Sequence, residues 1–173
     1  MIKKNQILKL VILIIILSAC NKNRESVKSD SEVPPYGVLK EIKILDYPET
    51  EIGSLTPWDV ESPPDIYVNI IGENTLNTII YTNEGSPIAD ISRDSLPASI
   101  YFDLPGELRI PDLDRFYMVK FWDNDTGNDL PDDYMGVVSF RLIDCTYGDD
   151  PYPTQFKVLQ SDFFVEFTIE WHN

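Results

Sequence analysis

Two short acidic stretches hold the residues best suited to chemistry in this 173-residue chain. The first runs Asp59-Val60-Glu61-Ser62-Pro63-Pro64-Asp65-Ile66-Tyr67-Val68, and the second runs Phe121-Trp122-Asp123-Asn124-Asp125 and resumes at Asp132-Asp133-Tyr134-Met135-Gly136. Each places carboxylates at the end of an apolar, strand-like run. Carboxylates at two loop tips repel one another unless something positive lies between them. The simplest such thing is a hard cation, and calcium accepts about six to eight oxygens in loose geometry. Residues two apart in a strand point the same way, so Asp123 and Asp125 can converge if their strand runs past its end. The Ser62-Pro63-Pro64 turn can aim Asp59 and Asp65 inward. These four aspartates are candidate calcium ligands at one end of a β-sandwich. Asp, Asn, Gly and Pro also make good turns with no metal at all, so acidic turns without a cation are the competing reading.

Other chemistries fit less well. An EF-hand would start correctly at Asp123 and Asp125. However, Gly127 comes one place too early, Tyr134 stands where the loop needs Glu, and no helices flank it. A transition-metal site lacks His and Cys ligands. There is no Gly-x-Ser-x-Gly and no phosphate-cradling loop. The lone His172 lies far along the chain from Cys145, which reads as a partly buried structural thiol. An enzyme is not expected.

The N-terminus is a separate matter. Lys3, Lys4 and Lys9 precede the unbroken apolar run Leu10 to Leu17, and Leu17-Ser18-Ala19-Cys20 closes the segment. That is a secretory signal, too short to span a membrane. Its Leu-Ser-Ala-Cys ending resembles the lipobox of bacterial lipoproteins. The resemblance implies that residues 1–19 are removed and that Cys20 carries a diacylglyceryl thioether and an N-acyl chain. It implies a lipid-anchored protein of the bacterial cell envelope. Asn21 rather than Asp after the cysteine leans towards the outer membrane. With Lys3, Lys4 and Lys9 gone, 11 basic residues face 29 acidic ones, a formal charge of −18. Such a chain has no basic patch for nucleic acid and no simple attraction to anionic lipid. With Cys20 in a thioether and only Cys145 left, no internal disulfide is possible.

Residues 20–35 read as the lipidated cysteine and a polar, disordered tether ending at Pro34-Pro35, and residues 36–173 as one domain. That domain shows period-two alternation and no sustained helical period. Strands are predicted at Gly37 to Leu45, Ile66 to Ile70, Thr78 to Thr82, Ile100 to Leu104, Arg115 to Trp122, Val137 to Ile143 and Phe163 to Trp171. A weaker one is predicted near Glu51 to Leu55, giving about eight. The pattern predicts an all-β, antiparallel sandwich.

At this point the two acidic stretches resemble the calcium-binding loops of C2 domains, which are eight-stranded antiparallel β-sandwiches. The first loop of that family has two aspartates with five residues between them and then Pro-Tyr-Val. Here Asp59 and Asp65 have that spacing, and Ile66-Tyr67-Val68 follows. The third loop has Asp-x-Asp after an apolar strand, then a further Asp, an apolar pair and Gly. Phe121-Trp122-Asp123-Asn124-Asp125 and Asp133-Tyr134-Met135-Gly136 keep that order. Ile66 replaces the family's proline. Seven residues, Thr126 to Asp132, stand where the family has five. Ser95-Leu96-Pro97-Ala98 sits where the family has Asn-Pro-x-Trp, without its Trp. The resemblance implies a ligand set of Asp59, Asp65, Asp123, Asp125 and Asp133, and leaves open which of Asp129, Asp132 and Asp133 reaches the metal.

The resemblance also implies a use. In the family, calcium bridges loop carboxylates to phospholipid headgroups while apolar loop tips assist. Trp58 beside Asp59 and Leu130 within the second loop are the candidate contacts for a membrane or a partner, although a tryptophan such as Trp58 is more often a core residue. The expected function is an envelope-anchored module that binds calcium and, through the calcium loops, a phospholipid or protein target. The alternative is a metal-free structural or interaction sandwich in a surface assembly.

Overall fold

The computed structural model describes residues 36–50, 58, 62–72, 78–102, 108–125, 131–146, 150 and 152–172. The signal, Cys20 and the tether lie outside the described residues, as do Asp59, Asp129, Leu130 and the weak strand at 51–55. The described residues form nine strands: β1 (Tyr36–Asp46), β2 (Ile66–Gly72), β3 (Ile79–Thr82), β4 (Ala98–Tyr101), β5 (Leu108–Ile110), β6 (Tyr117–Asp123), β7 (Asp133–Phe140), β8 (Gln155–Gln160) and β9 (Phe163–His172). One helical turn, α1 (Leu142–Cys145), follows β7.

Two antiparallel sheets result. One runs β4-β1-β9-β8 with β5 also on β1, and the other runs β3-β2-β6-β7. β9 occupies one edge of β1 from Tyr36 to Asp46, so β4 and β5 must share the other. They are two pieces of one interrupted strand. The nine segments therefore fill eight strand positions among the described residues; the expected eight counted a strand near Glu51 to Leu55, which lies outside them, and lacked β8.

The core lies between the sheets because each strand turns one side of its pleat inward. β6 shows this most cleanly. Tyr117, Val119 and Phe121 are buried in the core, while Met118, Lys120 and Trp122 alternate outward. Phe121 stacks on Phe163 across the sheets with ring centres 4.1 Å apart, and Phe140 meets Phe167 at 4.7 Å. Gly136 interrupts the β6–β7 register at a bulge with φ of 152°, where a Cβ would come within 3.1 Å of the Phe163 ring. Only glycine fits both demands.

Several strand boundaries differ from expectation. β7 begins at Asp133, not Val137, and stops at Phe140. Leu142 and Ile143 turn into α1, where Leu142 is still fully buried and Arg141 clamps Asp144 with bonds of 2.9 and 2.8 Å. β4 ends at Tyr101, short of Leu104. Strand β8 and the short β5 were not predicted. β8 alternates Phe156 and Val158 against exposed Gln155, Lys157 and Leu159. Its hairpin to β9 uses Ser161 and Asp162, both at positive φ, a two-residue turn without the usual Asn-Gly signal.

The two ends of the sandwich are chemically distinct. β1 leaves its sheet at Asp46, next to Tyr47, whose hydroxyl donates to Ile91 O at 2.7 Å. The Ile91 amide in turn donates to Pro64 O at 3.0 Å, just before Asp65. Asp46 is therefore at the same end as Asp65, and Tyr36 is at the opposite end. There Tyr36 stacks on His172 at 5.2 Å, with ring planes 4° apart.

Candidate functional site

The acidic residues gather at one end of the four-stranded sheet. Asp123 ends β6 and sits opposite both Ile66, the first residue of β2, and Asp133, the first residue of β7. Antiparallel pairing thus brings two distant stretches of chain together. Asp65, Asp123 and Asp133 are carried there by three adjacent strands, and Asp125 follows two residues past β6.

These groups are already bonded to the protein. Asp123 is buried, with 1% of its surface exposed, and its Oδ1 accepts the Asp65 amide at 2.8 Å. Asp65 returns the contact through its carbonyl, which accepts the Asn124 amide at 2.9 Å. Asp65 Oδ1 accepts the Asp90 amide at 2.7 Å. A carboxylate that accepts backbone N–H groups at a loop junction acts as a staple, and a charge-assisted bond of this kind is among the stronger ones a protein makes.

Asp132 plays a similar part. Its Oδ2 accepts the Tyr67 hydroxyl at 2.7 Å and its Oδ1 the Asp125 amide at 3.2 Å. Both of its oxygens thus brace the second loop. Burial and that bond to Asp132 drive the Tyr67 phenol well above its ordinary pKa. Asn124 Nδ2 adds a donation to Glu84 O at 3.3 Å, tying in the loop after β3.

The donor chemistry is all oxygen, which suits a hard cation and no transition metal. The geometry is less complete. Among the described residues no three carboxylates close around a point that would hold a metal ion. The convergence expected of Asp65, Asp123, Asp125 and Asp133 reaches one end of one sheet but not one coordination sphere. One oxygen each of Asp65 and Asp123 is turned onto a backbone amide instead. Asp59 and Asp129 lie outside the described residues.

Trp58 differs from the interface reading. It is 7% exposed, belongs to the core, and donates its indole N–H to Pro48 O at 2.8 Å. An apolar ring that can bury both its body and its N–H gains more inside than at a tip. Cys145 is half-buried, and burial pushes its thiol up to about 11, so it remains protonated at neutral pH. His172 is engaged with Tyr36 and with Glu170 at 3.1 Å.

Sequence reasoning passed over three residues. Asp90 takes a left-handed backbone (φ 52°) and presents its amide to Asp65; nothing in Ala89-Asp90-Ile91 signals this. Asp132 is expected only as a ligand, whereas its bonds to Tyr67 and to the Asp125 amide make it a brace. Tyr67 was read only as part of a motif, although a buried tyrosine usually finds a partner for its hydroxyl.

No family model matches the chain, and no curated protein matches it. Similar solved structures include a human GIVD cytosolic phospholipase A2 in complex with methyl gamma-linolenyl fluorophosphonate inhibitor and terbium chloride. Its TM-score is 0.48 at 15% identity, over 82% of this chain and 18% of that one. A second is a C2 domain protein from Ramazzottius varieornatus, with TM-score 0.41 and 12% identity over 82% of this chain and 91% of that one. The chain thus spans 18% of the phospholipase's length. Among the described residues, two antiparallel sheets, eight strand positions and almost no helix make an all-β antiparallel sandwich, consistent with a C2-like fold.

Proposed function

We propose that the chain is a binding module, not an enzyme: a lipoprotein of a bacterial cell envelope, anchored at the outer membrane through Cys20. Its C2-like domain takes up calcium at the acidic end and, through the same loops, contacts a phospholipid headgroup or a surface protein. The observation that carries this reading is the gathering of Asp65, Asp123, Asp125 and Asp133 at one end of one sheet by strands far apart in sequence. Asp59 and the segment 126–130 would supply further oxygens. Calcium available at about 10⁻⁴–10⁻³ M suffices for a site outside the cytoplasm. Binding to the folded state alone would stabilise it by RT ln(1 + [Ca]/Kd).

Calorimetric titration of the full chain with calcium tests the reading. Heat of binding and a higher melting temperature in millimolar calcium are expected, both abolished by Asp123→Asn combined with Asp125→Asn. Asn keeps an acceptor oxygen for the Asp65 amide, so the loop junction survives the change. No heat and no rise in the unmutated chain would exclude calcium. Cys20→Ser should move the chain from the membrane fraction to the soluble one, and persistence in the membrane would remove the anchor.

A second reading has its own support. Asp65, Asp123 and Asp132 staple the loops through hydrogen bonds without any cation. A metal-free interaction sandwich of a surface assembly would show no calcium response, and its binding would survive EDTA.

A further inference from the structure

The outer strands of the two sheets are not guarded alike. β7 and β8 run beside each other on one side of the sandwich, and Gln160 Oε1 accepts the Ser139 amide across the gap at 2.8 Å. β8 also carries Lys157, with 53% of its side chain exposed. On the other side of the sandwich, β4 follows directly on Pro97, which offers no amide. Charges, prolines and covered amides are the means by which a sheet edge avoids joining another edge.

β3 has none of these. Its four residues, Ile79-Ile80-Tyr81-Thr82, hold no charge and no proline. Ile79 is 48% exposed and Ile80 38%. Among the described residues β3 pairs with β2 alone, which leaves a row of backbone groups facing outward on its other side. Tyr81 turns inward and meets Phe102 edge-on at 4.6 Å, which fixes the strand against the core. β3 is thus an apolar open edge in a firmly packed place.

Charge selects what covers it. β3 lies against Asn69 to Ile71, nearer the Gly72 end of β2 than the Ile66 end. A two-fold axis through β3, perpendicular to the strands, therefore turns the acidic ends of two copies to opposite poles. It brings together the ends at which Arg141 answers Asp114 and Asp144, and Arg115 answers Asp112. A parallel pairing would instead set acidic end beside acidic end and Glu84 beside Glu84. With 29 acidic residues against 14 basic ones, two copies repel over most approaches, and the antiparallel one keeps their acids farthest apart. Each copy offers the other what β3 lacks, an unpaired backbone row and an isoleucine pair to cover an isoleucine pair. We propose that β3 pairs antiparallel with β3 of a second copy of this chain and joins two four-stranded sheets into one of eight. The pairing uses no calcium and no acidic loop.

Sedimentation equilibrium of the full chain in density-matched detergent with EDTA tests this. At about 100 µM, where a weak interface is populated, the mass of two chains is expected. Ile80→Lys sets like charges across the axis and should raise the dimer Kd at least tenfold, on the order of a like-charge penalty. Ile79→Lys, on the same edge, should act in the same direction. Leu159→Lys, at a site 69% exposed on β8, should still give two chains. The proposal falls if the unmutated chain sediments as one, if both isoleucine variants remain dimeric, or if Leu159→Lys dissociates as they do. A native circular dichroism spectrum for the isoleucine variants separates a lost edge from a lost fold. In the antiparallel pair the two Glu84 positions stand about seven residues, or roughly 23 Å, apart along the strands. Glu84→Cys should therefore form no disulfide between copies, and a dimer trapped through it would overturn the antiparallel arrangement.

Discussion

The outer faces of the two sheets are built on the same alternation and filled in opposite ways. On the five-stranded sheet, Lys43 reaches Glu166 at 3.2 Å and Glu41 at 3.9 Å, and Lys157 reaches Glu166 at 3.3 Å. Thr168 donates to Glu41 at 3.3 Å. The lysines and glutamates there answer one another, which is how a solvated face lowers its own field. The four-stranded sheet instead carries an aromatic row, with Tyr67 buried, Trp122 part-buried and Tyr134 exposed, and beside it Lys120, which forms no ion pair among the described residues. The contrast teaches that period-two alternation tells which residues point out and nothing about what they are for. The information lies in whether outward groups satisfy one another.

The largest test of that contrast is Trp122→Ala. The indole packs between Tyr67 and Tyr134, and its loss should cost about 2–4 kcal/mol, seen as a lower urea midpoint. An unchanged midpoint would mean that the aromatic row is decoration. Next comes Tyr67→Phe, which keeps the ring and deletes the donor to Asp132. Stability should fall by about 1 kcal/mol, and an ultraviolet titration of the unmutated chain should show one tyrosine fewer ionising than the mutant would lead one to expect if Tyr67 titrated normally.

A smaller effect is expected on the other sheet. The hydrogen bond from Lys43, helped by Lys157, holds the Glu166 carboxyl below its ordinary value of 4.5. A depressed carboxyl contributes stability that is present above the unfolded value and is lost as pH falls through the folded one. Glu166→Gln should therefore lower stability slightly at neutral pH and flatten the fall below about pH 4.5, so that the two curves meet in acid. If the limb is identical, the charges are placed but not coupled. Smallest of all is Lys120→Gln, which should leave the melting temperature where it was, since no partner is lost. A clear drop would show that Lys120 is held by the fold and would blur the distinction between the faces.

Much of this was legible from residues. The alternation Phe163, Val165, Phe167, Ile169 announced β9, and the spacing of Asp59 and Asp65 together with Asp123-x-Asp125 placed both acidic stretches at strand ends. Gly136 was marked by its motif, and the structure supplies the reason in the Phe163 ring against it. What could not be read were properties of pairs. That Asp65 and Asp123 bond through a backbone amide depends on a cross-strand register. That Trp58 is core depends on the carbonyl of Pro48 being in reach. That Asp132 braces the loop depends on a phenol arriving from β2. β8 escaped because Gln, Lys and Leu on its outward side hid a modest Phe156 and Val158 face.

The placement of Tyr36 has a mechanical consequence. The chain enters the sandwich at Tyr36, and the acidic strand ends lie at the far end, beyond Asp46. A tether pulling at residue 36 against a load held at the acidic end would draw force along β1 rather than across it. β1 is bonded to β9 on one edge and to β4 and β5 on the other. Force along such a strand is shared by all those hydrogen bonds at once, in shear, so none can be opened singly as in a zipper. A pull between Tyr36 and the acidic end would therefore meet the sheet in its stronger direction.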